Sequence, residues 1–343
     1  MSILNRDVWC VLGLPFDAVT LKGAVDKLKD SIESSERLFL TTPNLNFLIT
    51  AQNNLSFFRS VVESDLSVAD GMPIVWVAKL LGVPLTERVA GSDLFDVLSN
   101  QQDYAKQVNV FFFGGQEGVA EQACQVLKTN NSTMSCCGFY DPGFVSIDEM
   151  SSPDIIKCIN EANPDFLLLA LGAAKGQAWI QKNRHDLNAS VISHLGAVIN
   201  FVTGDVKRSP GFFQRCGLEW FWRIIQEPAL WKRYFFDGLV FFKLLVLNVF
   251  PLTVYQRWLK NADSYKCPVS VTYKSGDSCV ITLAGSIHHD VLGSVKQCFY
   301  DVLNNERESV AIECDNLVYI DAAFIGTLML FQSYLHEDGR TLQ

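Results

Sequence analysis

The chain has 343 residues, about half of them apolar, enough for a sizeable core and, at roughly 150 residues per domain, about two domains. A net charge of −9 excludes a general nucleic-acid binder, because neutralising phosphates needs a basic surface. Ten cysteines without a C-x-x-C pair, behind an N-terminus with no basic-then-apolar leader, point to the cytosol and to thiols acting as small apolar core groups.

In chain order, nearly continuous apolar runs at Leu38–Thr41, 108–113, 166–171 and 191–195 read as strands buried on both faces of a parallel sheet. Amphipathic windows at 94–101, 118–128 and 154–162 predict helices between them. From Val8 to about Gly204 this rhythm predicts a layered α/β domain with right-handed crossovers.

Three short polar clusters stand at the edges of apolar segments: Thr41-Thr42-Pro43-Asn44, Ala69-Asp70-Gly71-Met72-Pro73, and Glu87-Arg88-Val89-Ala90-Gly91-Ser92-Asp93. Core packing does not require a hydroxyl, an amide, carboxylates and a guanidinium at such places, whereas chemistry does. Two further strand ends run into glycine, at Phe113-Gly114-Gly115 and Leu171-Gly172, where a backbone can approach an anion near the positive end of the next helix. No G-x-G-x-x-G accompanies them, which disfavours a dinucleotide oxidoreductase.

Residues 205–260 hold nine Lys/Arg against four Asp/Glu, leaving the rest of the chain at −14, so a negatively charged partner is expected there. The same segment is aromatic. Its most apolar part, 235–255, approaches the length needed to span a bilayer but is interrupted by Asp237, Lys243 and Pro251. An interfacial helix fits better than a span, and a helix packed between domains is the plain alternative.

After Cys267-Pro268 a second unit is predicted, with strands at 269–273 and 278–283, a helix near 290–303, a strand at 309–314 and a helix near 321–336. One more strand and helix are expected after Gly339.

Several ordered motifs carry a resemblance. They are Thr-Pro-Asn at 42–44, Ala-Asp-Gly at 69–71, Arg-Val-Ala-Gly-Ser-Asp at 88–93, Phe-Gly-Gly at 113–115 and the run from Leu171-Gly172 to Trp179-Ile180. Gly204, Arg208-Ser209-Pro210, Leu218-Glu219-Trp220, Arg223 and Glu227-Pro228 follow. Over about two-thirds of its length, the chain resembles the TagA/WecG/CpsF family of bacterial glycosyltransferases, which includes N-acetylmannosaminyltransferases. From Pro268 onward it resembles a STAS domain, on the strand 310–314 and the run Tyr319-Ile320-Asp321-Ala322-Ala323-Phe324-Ile325-Gly326. Antagonist members of that second family carry serines after the aspartate. Ala322 and Ala323 have no hydroxyl, so a docking or regulatory role is expected rather than a phosphoswitch.

The resemblance implies an α/β fold: a Rossmann-like layered parallel-sheet glycosyltransferase domain at 1–204, a basic aromatic membrane-associating appendage and linker at 205–262, and a smaller α/β STAS-like domain at 267–343. It implies an inverting hexosyltransferase that moves an N-acetylmannosamine-type or related sugar from a UDP-sugar donor to a polyprenyl-diphosphate-linked acceptor in surface polysaccharide synthesis. The enzyme would be peripheral to the inner face of the cell membrane, with no cofactor. Asp70 matches the family's general base, with a helix cap as the alternative. Thr42 and Asn44 are catalytic candidates for hydrogen bonds to sugar hydroxyls or the acceptor, or form a plain turn. Arg88 either reaches a phosphate or pairs with Asp93.

Gly114, Gly115, Gly172, Lys175 and Gln177 are expected on the donor side, although Lys175 and Gln177 equally suit a helix cap. Arg208, Arg215 and Arg223 would stabilise the departing diphosphate, some of them binding lipid headgroups instead. With no clustered Asp-x-Asp in the α/β domain, no metal is expected. One departure stands out: the family usually reads Pro-Lys-Gln-Glu where this chain has Ala174-Lys175-Gly176-Gln177, so donor specificity is expected to differ. A nucleotide-sugar sensor signalling through the STAS-like part is the alternative function, and a homo-oligomer is compatible with the sequence.

Overall fold

The computed structural model describes residues 3–100, 106–129, 132–206, 209–260, 263–274, 279–305 and 309–343. The chain divides into two compact units, one of residues 19–75 and 86–240, the other of residues 1–18, 76–85 and 241–343.

The elements begin with β1 (Val8–Val11), β2 (Leu14–Asp17), α1 (Leu21–Ser34), β3 (Leu38–Thr41), α2 (Leu45–Asn53), α3 (Leu55–Val62), β4 (Leu66–Ser67), α4 (Met72–Leu81) and α5 (Gly91–Asn100). There follow β5 (Val108–Gly114), α6 (Val119–Thr129), β6 (Met134–Tyr140), α7 (Pro153–Glu161), β7 (Phe166–Ala170), α8 (Ala173–Asn183), β8 (Val191–His194) and α9 (Val198–Thr203). The aromatic segment gives α10 (Gly211–Arg215), α11 (Glu219–Gln226), α12 (Trp231–Leu244) and α13 (Phe250–Lys260). The chain closes with β9 (Ser270–Lys274), β10 (Cys279–Ile287), α14 (Leu292–Asn305), β11 (Val310–Ile320) and α15 (Ala322–Glu337).

In the larger unit six strands form one parallel sheet in the order β4-β3-β8-β7-β5-β6. Alternation along a strand explains why the apolar runs are continuous. Val108, Val110 and Phe112 of β5 join the core beneath α1, α5, α6 and α9, while Phe111 and Phe113 join a second core beneath α7 and α8. Trp179 of α8 anchors that second face, stacked on Phe113 at 4.6 Å, its indole N–H donating to Met150 O at 2.9 Å. Strand β6 went unrecognised because its Ser135, Cys136, Cys137 and Gly138 give no apolar run.

From β5 the chain passes through α6 to β6 on one side, and from the neighbouring β7 it passes through α8 to β8 on the other. Helices α6 and α8 lie on opposite faces, as a constant crossover hand requires. The order therefore reverses between β5 and β7, whose carboxyl ends run into Gly114-Gly115 and Gly172.

The smaller unit holds an antiparallel hairpin, β1–β2, which the sequence reading did not foresee. Its two-residue turn places Leu12 and Gly13 at φ 51° and 90°, the conformation a tight right-twisted hairpin demands. A three-stranded sheet, β11-β10-β9, pairs β9 antiparallel and β11 parallel to β10. Helix α15 packs on β1 so closely that a Cβ at Gly326 would lie 2.6 Å from Val8 O.

Two expectations are corrected. Pro251 does not interrupt the aromatic segment: one helix runs through Pro228–Leu259, long and apolar enough by length and composition to cross a membrane. A π-helical turn at Leu245–Val249 widens the backbone just before the proline, where its ring and missing N–H would otherwise break the ladder. Nor does Asp237 interrupt the apolar face, since it turns inward to accept a hydrogen bond from Asn46 Nδ2 at 3.2 Å. Trp231, Phe235, Leu239, Phe242, Val246 and Phe250 instead line an exposed stripe at spacings of three and four residues. The cysteines are not uniformly plain core groups either. Cys279 and Cys298 are buried, but α6 sets Cys124 against Cys136 of β6, Cα–Cα 5.1 Å, and the two are joined.

Candidate active site

The three polar clusters meet at the carboxyl edge of the sheet. Thr42, Pro43 and Asn44 leave β3, and Val68, Ala69 and Asp70 leave its neighbour β4. The Asp70 N–H donates to Pro43 O at 3.0 Å, which ties these two exits together, and the Val89 N–H donates to Ala69 O at 2.9 Å, which ties in the Arg88 loop. Gly91, at the start of α5, lies against Leu195 and the Thr42 methyl, and even a Cβ there would clash with Leu195. The glycine of the third cluster thus lets α5 pack close against Leu195 beside Thr42.

Asp70 is partly exposed and does not cap α4. The first helical bonds, from Ile74 N and Val75 N, go to Gly71 O, so Gly71 occupies the cap position and the carboxylate is left to the site. Burial raises its pKa to about 6, against the opposing pull of Arg88 and then Arg223, with Glu219 and Asp93 adding to the rise. An acid poised near neutrality among guanidiniums matches what proton abstraction needs.

Arg88 is held from two sides. One guanidinium nitrogen pairs with Asp93 at 2.6 Å and another with Glu219 of α11. The plain ion pair with Asp93 is therefore formed, and Glu219, which the sequence reading quoted only as part of a motif, belongs to the same group. Arg223 lies one helical turn beyond Glu219 on α11, over the Phe201 ring at 5.7 Å, so both charged groups of this helix act on Asp70.

The remaining candidates are placed as follows. Thr42 is buried. Asn44 caps α2, its side-chain oxygen accepting from Phe47 N at 3.1 Å, which realises the turn and leaves the amide nitrogen for other use. The Gly115 N–H is committed to Ala170 O at 2.9 Å, and Gly114, at φ 86°, makes room for Leu171. Gly172 starts α8 at φ 79° in open space. The Lys175 ammonium donates to Val145 O at 2.5 Å. Gln177 is fully buried. Arg208 lies outside the described residues, and Arg215 ends α10. His194, at the end of β8, was not singled out from sequence; it is buried, and burial lowers its pKa to about 4, so the imidazole is neutral.

Residues 9–253 match the model of the Glycosyl transferase WecG/TagA/CpsF family, and the chain belongs to that family. It is 32% identical over 202 residues to the N-acetylglucosaminyldiphosphoundecaprenol N-acetyl-beta-D-mannosaminyltransferase of Bacillus spizizenii, covering 59% of this chain and 76% of that one. The enzyme of the same name from Bacillus subtilis is 28% identical over 221 residues, 64% of this chain and 84% of its own. That of Staphylococcus aureus is 25% identical over 225 residues, 65% and 85% respectively.

Proposed function

We propose that this chain transfers an N-acetylmannosamine-type or related hexose from a UDP-sugar to a polyprenyl-diphosphate-linked acceptor, with inversion and without a metal. The observation that carries the reading is Asp70: a carboxylate on the sheet's carboxyl edge, its pKa raised to about 6, in the field of Arg88 and Arg223. The names of the relatives support the acceptor class and the mannosaminyl type of sugar.

In this mechanism Asp70 accepts the proton of the acceptor hydroxyl as its oxygen forms a bond to the anomeric carbon. The bond from that carbon to the diphosphate breaks on the opposite face, which inverts the centre. The electron pair moves onto the diphosphate, and Arg223 with Arg88 offsets the growing charge. Thr42 and the Asn44 amide nitrogen orient the sugar or the acceptor, with Asp93 holding Arg88 in place. Gly114, Gly115 and Gly172 shape the donor crevice at the point where strand order reverses.

The exposed aromatic stripe of α12 and α13, with Lys232, Arg233 and Lys243 along the same helix run, suits a helix lying at the inner membrane surface, where a lipid-linked acceptor is presented. The C-terminal sheet, with an antiparallel first strand, a parallel crossover through α14 and Asp321 ahead of α15, supports the STAS-like reading and a docking role.

The test is release of UDP when the purified chain meets UDP-N-acetylmannosamine and a polyprenyl-diphosphate-linked N-acetylglucosamine, with and without EDTA. Turnover that needs both substrates and survives EDTA is expected. Turnover abolished by EDTA removes metal independence, and none with any UDP-sugar removes the donor assignment.

A further inference from the structure

Beside the Asp70 loops, the carboxyl edge of the sheet carries a polar feature that the mechanism above leaves unused. Gly176 lies in the first turns of α8, and a Cβ built there would run into the His194 ring, 2.8 Å from Cγ and closer still to Cδ2. The imidazole, reaching up from the end of β8, thus occupies the place where a side chain at 176 would start. The next residue, Gln177, is 0% exposed, and neither its Oε1 nor its Nε2 has a hydrogen-bond partner among the described residues. His194 Nε2 and, one turn further along α8, Gln181 Nε2 are in the same state. Folded proteins rarely leave such atoms without a water or a ligand.

We propose that Gln177 and His194 form a subsite for an amide or imide group of the substrate, pairing with its carbonyl and its N–H. The inference rests on the glycosyltransferase reading above and names the donor-side chemistry of that site. A primary amide presents one acceptor oxygen and an N–H donor together, which complements the C=O/N–H edge of an imide, and a neutral imidazole adds one further donor or acceptor. Two parts of a UDP-sugar fit: the uracil ring, which offers that edge to Gln177, and the acetamido group of an N-acetylhexosamine, whose C=O and N–H point opposite ways and would take one bond from Gln177 and one from His194.

Location supports the assignment. Strand β8 lies between β3, which leads to Thr42, and β7, which leads to Gly172, so its end is inside the same edge. Leu195, the residue after His194, packs on Gly91 beside Thr42. Glycine at 176 is what admits the imidazole from the neighbouring strand.

Calorimetric titration of the full chain with UDP, UDP-glucose and UDP-N-acetylmannosamine tests the proposal, using Gln177→Leu and His194→Phe. Both variants should keep a cooperative melt and lose about tenfold in affinity, the worth of one well-made hydrogen bond. Loss confined to UDP-N-acetylmannosamine assigns the acetamido group, and equal loss for all three assigns uracil. If His194→Phe fails to fold, Gly176→Ala displaces the ring while keeping both polar groups, and the same loss is expected. Variants that bind all three probes as the unaltered chain does, with a raised melting temperature, show that only water fills the place and overturn the subsite while leaving the transferase reading intact. An unaltered chain that binds none of the three removes the donor reading and the subsite with it.

Discussion

Asp70 and Asp321 stand in the same local setting and are used differently. Each follows a parallel strand, precedes a small residue and leads into a helix. Asp321 is a helix cap in full: one oxygen accepts from Phe324 N at 2.9 Å and the other from His289 N at 2.8 Å. Asp70 gives the cap to Gly71 and faces Arg88 and Arg223 instead. A carboxylate whose oxygens are both taken up by backbone N–H groups is locked into structure, whereas one left desolvated among guanidiniums is free to take a proton.

The comparison breaks most directly at Asp70 itself. Asp70→Asn should lower kcat about a thousandfold, the usual scale of a general base, with nucleotide affinity retained in calorimetry. Turnover within tenfold of the unaltered enzyme would take Asp70 out of the proton transfer. Removal of Arg223 comes next: Arg223→Gln should cost about a hundredfold in kcat. It should also move the acid limb of the pH profile upward, because this guanidinium holds the Asp70 pKa down.

The unaltered enzyme should lose kcat/KM about tenfold per pH unit below about 6, as Asp70 takes up a proton. Stability runs the other way. A carboxyl raised from its unfolded value near 4 to about 6 costs the folded state about 1–3 kcal/mol above pH 6, and that cost fades as pH falls from 6 toward 4. Asp70→Asn should therefore melt no lower than the unaltered chain at pH 8. The smallest effect belongs to the other aspartate: Asp321→Ala should lose about 1 kcal/mol of stability through the missing cap, with turnover unchanged.

From sequence, Asp70 reads as a cap or as a base, since both meanings share one spelling. The larger sheet was legible because β3, β5, β7 and β8 are buried on both faces and so are spelled as continuous apolar runs. Strand order was not legible. It depends on which face each connecting helix covers, and that is settled by packing.

The meeting of Thr42, Asp70 and Arg88 could be anticipated from their positions at strand ends. The Arg88–Glu219 pair spans 131 residues and leaves no local trace. His194 was missed for a related reason: its seat is made by an absent side chain at Gly176, on a different element.

The contact of Gly326 with the Val8 backbone binds the two ends of the chain into one body. Val8, Val11, Leu14 and Phe16 of the hairpin are buried, and α15 covers β1. Trimming the protein after the family-matched segment, in the hope of a minimal enzyme, would strip that cover and leave an apolar two-stranded ribbon bare to water. Such a ribbon is a template for self-association, so the shortened protein should precipitate while the intact one stays in solution.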